Sequence, residues 1–243
     1  MINENFKKWA LSFSGFDGGD LGNSKKQSIW FCGIEWGGGF PDDKNELSKI
    51  FSEDVSVMNW GYSNPNENLK YRFNSRAMKL LSAVNGGLIK DYKNFAREVK
   101  PFVQDEKGYC KMNLYPLSFK NTNLNLWSEN FIKATGLNNK NEYKTFIEKN
   151  RFPILQDLVK KHNPKLIICT GITYKDQFFK AFTYDNPQIK QERIDDKFFC
   201  WAKNYNGTVV IVIYFMTGRY GLIKDSSVQK TGEKIRDIIK HSN

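Results

Sequence analysis

The sequence is poor in metal-ligating side chains. Its 243 residues include only two histidines, His162 and His241. The four cysteines are widely separated, and no two of them form a C-x-x-C pair: Cys32, Cys110, Cys169 and Cys200. Structural zinc and iron–sulfur centres need clustered ligands. We therefore predict that the protein holds no metal and keeps its cysteines as reduced thiols.

Long hydrophobic runs are also missing. No segment approaches the about 18–20 consecutive apolar residues that a membrane-spanning helix needs. Residues 1–5 are polar and acidic, unlike a secretory signal. Together with reduced thiols, these absences predict a cytoplasmic protein without a membrane partner. They leave the oligomeric state open.

Basic residues, by contrast, are abundant. The chain has 37 lysines and arginines against 26 acidic residues, a formal net charge of +11. Such an excess favours a polyanionic partner, most often nucleic acid. The lysines are spread along the chain, so we expect them to cover a folded surface. Charge alone does not separate a nucleic-acid enzyme from a nucleic-acid-binding protein.

Four short apolar runs predict buried strands, at residues 29–34, 109–114, 165–170 and 209–215. Nearly continuous apolar strands are typical of a parallel sheet that is covered on both faces. With the helical patterns between them, they predict one α/β domain over residues 1–243. We expect a three-layer α/β/α sandwich with a central, mainly parallel four-stranded sheet.

Helical periodicity predicts three helices. One spans 75–84, with Asn74 or Ser75 as its cap and a stop at 85–87, and a second spans 143–161, interrupted by Pro153. The third, at about 226–241, places four apolar residues on one face: Val228, Ile235, Ile238 and Ile239.

Two further segments have distinct patterns. Residues 198–203 predict another strand, which turns back through the Asn-Gly-containing segment 204–207 into the strand at 209–215. Residues 36–73 are rich in Gly, Pro and Asn and show no clear period, so we interpret them as a loop-rich insertion near a strand end.

The first predicted strand leads directly into Glu35 and then into Gly37, Gly38 and Gly39. Open α/β sheets place their ligands at the carboxyl ends of the strands, and glycines let backbone N–H groups approach a ligand closely. Glu35 is therefore a candidate functional residue, although a solvated acid in a turn has the same pattern. The glycines could also cradle a phosphate, but they match neither a Walker nor a dinucleotide motif.

The other predicted parallel strands end in small or polar turns that we expect at the same edge of the sheet. Asn113 closes one strand, and its amide can donate and accept hydrogen bonds to the edge of a base, although an asparagine before a proline turn is equally common. The remaining strands end at 170–173 and at 216–221.

Taken together, these residues resemble the uracil-DNA glycosylase superfamily, and most closely its single-strand-selective monofunctional branch. Residues 33–37, Gly-Ile-Glu-Trp-Gly, are similar to its first motif, with Trp36 in place of the usual proline. Phe73 stands where the family has an aromatic residue that stacks on the flipped base. Residues 113–117, Asn-Leu-Tyr-Pro-Leu, match the turn in which an asparagine recognises the base. The last motif departs from the family, because 216–221 lacks its histidine.

The resemblance implies a monofunctional DNA glycosylase that needs no cofactor. In this interpretation Glu35 positions or activates the hydrolytic water, and Arg219 is the candidate for the charge-stabilising role of the missing histidine. The implied substrate-binding residues lie in the same motifs: Gly33, Gly37, Phe73, Asn113, Tyr115, Thr217 and Gly218.

The substrate follows less directly. The small residues at 37–39 could leave room for an enlarged base, or they could simply form a flexible turn. Our hypothesis is that the enzyme removes a modified cytosine, hydroxymethylated or glucosylated, from phage DNA as an antiviral defence. The alternatives are a uracil-DNA glycosylase of base-excision repair, a non-catalytic DNA-binding protein on the same fold, and a nucleotide-binding α/β domain.

Overall fold

The computed structural model describes residues 1–58, 61–184 and 186–241. These ranges contain seven strands: β1 (Phe16–Gly19), β2 (Ile29–Gly33), β3 (Tyr109–Asn113), β4 (Leu166–Thr170), β5 (Lys190–Ile194), β6 (Lys197–Lys203) and β7 (Val209–Ile213). They form one sheet in the order β1-β3-β2-β4-β7-β6-β5. The predicted α/β class is confirmed. The predicted four-stranded sheet is wrong, because three further strands extend it.

The four strands predicted from apolar runs form the middle of the sheet. β3, β2, β4 and β7 are neighbours in that order and run parallel. Every residue in them is buried. Continuous apolar sequence thus corresponds here to strands that are covered on both faces.

The outer strands are antiparallel. β6 pairs with β7 across the predicted turn, in which Asn204 Oδ1 accepts hydrogen bonds from the backbone N–H groups of Asn206 and Thr208. β1 and β5 carry no apolar run, which is why sequence patterns did not predict them. β1 includes two glycines with positive φ, and β5 is polar and mostly exposed.

Helices cover both faces of the sheet. They are α1 (Glu4–Ala10), α2 (Lys44–Phe51), α3 (Pro65–Lys70), α4 (Arg72–Val84), α5 (Tyr92–Val99), α6 (Glu129–Thr135), α7 (Lys140–His162), α8 (Lys175–Phe182) and α9 (Asp225–Lys240), with single 3₁₀ turns at Ile89–Asp91 and Ile172–Tyr174. Trp30 and Cys32 of β2 pack with α7 and α8, on what we call the α7 face. Ile29 and Phe31 pack with α4 and α9, on the α4 face.

Two of the predicted helices begin or continue differently from expectation. α4 starts at Arg72, so Asn74 and Ser75 lie inside it, where their side chains donate to the carbonyls of Asn68 and Leu69. α7 continues through the exposed Pro153, so the interruption expected there is absent. α9 agrees with its prediction, and its four apolar positions are all buried.

The stretch 36–73 is less loop-like than expected. It contains α2, α3 and the start of α4, while residues 59–60 lie outside the described residues. Both short helices have side-chain caps, Asp43 on α2 and Asn64 on α3, with Pro65 in the first turn of α3. Six- and eight-residue helices are too short to produce a clear periodic signal.

The strand order creates a topological switch between β2 and β4. The chain continues from β2 to β3 on one side, whereas the strands that follow β4 in sequence, β5, β6 and β7, all lie on the other side. A crevice outside the carboxyl ends of such a strand pair is where open α/β sheets bind ligands.

All four cysteines are buried free thiols. Within the described ranges, no helix is long and apolar enough to cross a membrane.

Candidate functional site

A cavity of about 510 Å³ opens at the carboxyl ends of the parallel strands. Its walls come from the segments after β2, β3, β4 and β7: residues 34–37, 119–122, 171–174, 214–215 and 217–221. The volume lies within the range of about 300–1,000 Å³ that is usual for small-molecule sites. The cavity therefore occupies the crevice that the strand order predicts.

Five of the residues predicted from sequence line this cavity together: Glu35, Gly37, Thr217, Gly218 and Arg219. Four others do not line it: Gly33, Phe73, Asn113 and Tyr115. The predicted set is thus divided between the cavity and other parts of the fold, and the assigned roles stay predictions.

Glu35 is the acid of the cavity. Its side chain is only 5% exposed, and Oε1 accepts a hydrogen bond of 3.2 Å from Lys140 Nζ. Oε2 is buried and has no hydrogen-bond partner among the described residues. An unpartnered buried acceptor costs about 1–3 kcal/mol, so this oxygen requires an explanation, of which a catalytic role is one.

Lys140, the first residue of α7, is the partner that sequence reasoning missed. Its side chain is wholly buried. Besides the bond to Glu35, Nζ donates to the carbonyl oxygen of Asn121 at 3.3 Å and lies 3.6 Å from the centre of the Phe119 ring. The sequence Asn-Lys-Asn-Glu at 139–142 looks like the solvated start of a helix, and no local signal reveals this burial.

Burial dominates the ionisation of both groups. It raises the pKa of Glu35, and the nearby charges of Lys140 and Lys144 only partly oppose it. Burial likewise lowers the pKa of Lys140 against the attraction of Glu35. The pKa values of the acid and the amine are therefore shifted towards each other, and perturbed pKa values of this kind are concentrated at functional sites.

The three glycines form a turn beside Glu35. Gly38 and Gly39 have φ values of 99° and 84°, a region that disfavours other residues. The Ser118 hydroxyl fixes the turn by accepting from Gly39 N–H and donating to the Trp36 carbonyl. A Cβ placed on Gly37 or on Gly38 would meet nothing within 4 Å, but Gly37 differs in that its φ is outside the positive range that disfavours other residues. Conformation thus explains two of the glycines, and open space surrounds the third.

The segment after β7 forms a closed loop on the opposite wall. Leu222 N–H donates to the Phe215 carbonyl, and Gly221 N–H donates to the Gly218 carbonyl. Tyr220 is 77% exposed at the tip, with the Arg219 guanidinium 5.8 Å from its ring centre. The loop therefore presents an aromatic ring and a cation at the rim of the cavity.

Gly33, Asn113 and Phe73 lie on the α4 face. Asn113 Nδ2 donates to the Gly15 carbonyl at 3.4 Å, and a Cβ added to Gly33 would lie 2.5 Å from Asn113 Oδ1. Phe73 packs edge-on against Phe31, with ring centres 5.9 Å apart. The amide that was predicted to read a base is thus buried and packed against backbone.

Beside them lies a polar group that we call the Asp17 cluster: Asp17, Tyr62 and Lys111. Lys111 Nζ forms an ion pair with Asp17 and donates to the Tyr62 hydroxyl, which itself donates to Asp17. Lys111 Nζ also lies 5.7 Å from the Phe73 ring centre.

Tyr115 belongs to the core of the α7 face. It is fully buried against Tyr143 and Phe152, and its hydroxyl donates to Glu148 Oε1 at 2.9 Å. Burial and the Glu148 charge raise the pKa of Tyr115, so the phenol stays neutral. Its contacts in the structure are those of a packing residue.

Neither a scan against protein-family models nor a search of curated proteins finds a match for the chain. Among the described residues, no three His, Cys, Asp or Glu side chains lie together as a metal site would require. The absence of a metal and of a cofactor stays a prediction.

Proposed function

We propose that the protein is a monofunctional DNA glycosylase built on a three-layer α/β/α domain like that of the uracil-DNA glycosylase superfamily. It would hydrolyse the N-glycosidic bond of a flipped base and leave an abasic site. One observation carries the proposal: a cavity at the strand ends contains a buried carboxylate, Glu35, with one oxygen unpartnered among the described residues.

Hydrolysis of the N-glycosidic bond requires a correctly positioned water molecule and stabilisation of the charges that develop as the bond breaks. Glu35 Oε2 is suited to accept a proton from that water, since Oε1 is already held by Lys140. Before it takes that proton, the ionised carboxylate would also stabilise positive charge that develops on the sugar. General-base catalysis of this kind contributes about 10²–10⁴-fold to rate.

Aromatic side chains of the cavity favour a planar ligand. Trp36, Phe119, Phe215 and Tyr220 all line it. Enzymes that act on flipped bases hold them between aromatic or apolar side chains. We assign base stacking to this set, because Phe73, the residue suggested by the family resemblance, does not line the cavity.

The positive charge of the chain supports DNA as the substrate. The net charge is +11, and Lys120 and Arg219 are exposed where the cavity opens. Arg219 is the nearest substitute in this loop for the histidine that the family carries. A DNA complex of this kind should weaken steeply with salt, as phosphate-dominated binding does.

For the substrate we propose a modified cytosine, hydroxymethylated or glucosylated, as found in phage DNA. The support is the open space at Gly37, where a Cβ would meet nothing within 4 Å. Gly37→Leu should narrow this space and reduce release of the glucosylated base more than release of an unmodified one. Equal effects on both bases would contradict the enlarged-base proposal while leaving the glycosylase proposal intact.

The test of the function is abasic-site formation. Oligonucleotides that carry uracil, hydroxymethylcytosine or glucosylated hydroxymethylcytosine are incubated with the protein and then cleaved by alkali. Glu35→Gln should lower base release by about 10²–10⁴-fold and leave DNA binding intact. Glu148→Gln is the matched control, since this carboxylate also accepts a buried hydrogen bond but lies outside the cavity lining.

Two outcomes would redirect the proposal. DNA binding without cleavage of any oligonucleotide by the wild type would indicate a non-catalytic DNA-binding protein. Release of uracil alone would favour the base-excision-repair alternative over the modified cytosine.

A further inference from the structure

Lys140 lies in a place where a lysine is unfavourable for the helix that carries it. It is the first residue of α7, and a cation near a helix N-terminus opposes the helix dipole. Asn139 already caps this end by accepting from Glu142 N–H. The side chain is nevertheless wholly buried, and its ammonium group is directed to Glu35. Helix stability therefore does not account for this residue.

The contacts of Nζ join two walls of the cavity. It donates to Glu35 Oε1 from the segment after β2 and to the Asn121 carbonyl from the segment after β3, and it lies over the Phe119 ring. Glu35, Phe119 and Asn121 all line the cavity, whereas Lys140 does not. The lysine thus sits behind the wall and fixes the groups that face inward.

We infer that Lys140 is a positioning residue, which holds Glu35 by Oε1, leaves Oε2 without a partner among the described residues and favours the ionised carboxylate over the neutral acid. The inference deepens the proposed glycosylase function and rests on it for its catalytic meaning. The structural part, a lysine that controls the ionisation of one glutamate, can be measured without any substrate.

Electrostatics supports the same role. Burial alone would favour the neutral acid, and Lys140 is the first of the opposing charges that lower the pKa of Glu35, with Lys144 contributing less. The titratable and charged groups around Glu35 come from several elements: Lys140, Tyr143 and Lys144 on α7, Lys120 after β3, Tyr174 after β4 and Arg219 after β7. Of these, Lys140 is the one that hydrogen-bonds the carboxylate within the described residues.

The test compares Lys140→Met with Lys144→Met. Lys144 is the matched control, because it lies one turn along α7 and its Nζ donates to the Tyr174 hydroxyl rather than to Glu35. Loss of an adjacent opposite charge raises a carboxyl pKa by about 1–3 units. Lys140→Met should therefore move the acid limb of the pH–rate profile upward by about 1–3 pH units and lower kcat, with KM for DNA unchanged. Lys144→Met should give a smaller shift, and Lys140→Arg should restore the wild-type limb in part.

The Glu35 carboxyl carbon is also titrated by NMR in wild type and in Lys140→Met, with Glu35→Gln identifying its signal. The same upward shift is expected there, and an unchanged Glu35 titration would overturn the inference even if no DNA substrate is ever cleaved. Should Lys140→Met fail to fold, the reciprocal measurement decides. The Lys140 amine should titrate at lower pH in Glu35→Gln than in wild type, and equal values would contradict the inference.

One further experimental result would show that Lys140 acts as a covalent catalyst rather than as a positioning residue. A buried lysine with a lowered pKa can act as an amine nucleophile. If borohydride trapped a Lys140–DNA adduct during base release, Lys140 would be a catalytic residue and the positioning role would be wrong. Inactive wild-type protein, by contrast, would refute the proposed function and leave the NMR result to decide on Lys140.

Discussion

Two lysine–carboxylate pairs lie near the same edge of the sheet, on opposite faces. Lys140 and Glu35 form the pair of the α7 face, with side chains 0% and 5% exposed. Lys111 and Asp17 form the pair of the α4 face, with side chains 10% and 27% exposed. Each pair joins a lysine to a carboxylate, and the pair of the α7 face is the more deeply buried. They differ in how completely their polar atoms are paired.

The Asp17 cluster is closed on itself. Asp17 accepts from both Lys111 and Tyr62, and the Tyr62 hydroxyl accepts from Lys111 at 2.9 Å. Burial would lower the pKa of Lys111, but the attraction and hydrogen bonds of Asp17 and Tyr62 outweigh it, so the pKa is raised. A paired, hydrogen-bonded charge of this kind stabilises the fold.

The Glu35–Lys140 pair is left incomplete. Glu35 Oε2 lacks a partner in the described part of the chain, and burial outweighs the mutual attraction at both groups. A lysine–carboxylate pair therefore does not by itself indicate a structural or a functional role. The balance of desolvation against pairing distinguishes the two, and Glu35 lines the cavity at the strand ends whereas no residue of the Asp17 cluster does.

The largest effect is expected from opening the complete pair. Asp17→Asn leaves Lys111 buried without its counter-charge, and breaking a buried pair costs about 3–5 kcal/mol. We expect a loss near the lower end, about 3 kcal/mol of unfolding free energy in urea, because Asp17 is partly exposed. Glu106→Gln, in the exposed pair with Lys100, is the control and should cost less than about 1 kcal/mol. Equal losses of unfolding free energy in Asp17→Asn and Glu106→Gln would mean that the Asp17–Lys111 pair contributes no more to stability than an exposed pair.

Replacing the Glu35–Lys140 pair by apolar residues should change the free energy of unfolding by a smaller amount and in the opposite direction. Apolar replacement of a buried ion pair is often neutral or stabilising by about 1–4 kcal/mol. The double variant Glu35→Leu with Lys140→Met should therefore be at least as stable as wild type while base release is lost. The corresponding change of Asp17→Leu with Lys111→Met should destabilise, because it strands the Tyr62 hydroxyl. A destabilised first variant would show that the Glu35 pair is structural.

Sequence patterns were sufficient for the centre of the fold. Continuous apolar runs indicated the four parallel strands, and the acid that follows β2 indicated a side chain at their carboxyl end. The outer strand β6 was predicted at residues 198–203, but β1 and β5 were not, because β1 is half glycine and β5 is polar, and pairing to a neighbouring strand creates both. In such segments tertiary hydrogen bonding decides the structure rather than local sequence.

The site was harder to predict, for two physical reasons. Asn113 and Glu35 both stand at strand ends, but Asn113 pairs in register with Gly33 on the α4 face, whereas Glu35 lies beyond the strand and turns to the α7 face. A position at the end of a strand does not specify a face. Lys140, in turn, is buried by segments that are distant in sequence. Its neighbours in sequence are polar, so the local sequence does not indicate that it contacts Glu35.

The smallest expected difference between the two pairs is in how the free energy of unfolding depends on pH. Because the pKa of Glu35 is raised above its ordinary 4.5, folding takes up a proton there, and the associated stability is lost as pH rises through the raised pKa. As pH rises from 4.5 through this raised pKa, wild type should therefore lose stability relative to the variant with Glu35→Leu and Lys140→Met, which lacks both groups. Urea denaturation at several pH values measures the difference. Parallel curves would mean that Lys140 compensates the burial of Glu35 fully, and the two pairs would then be equally satisfied.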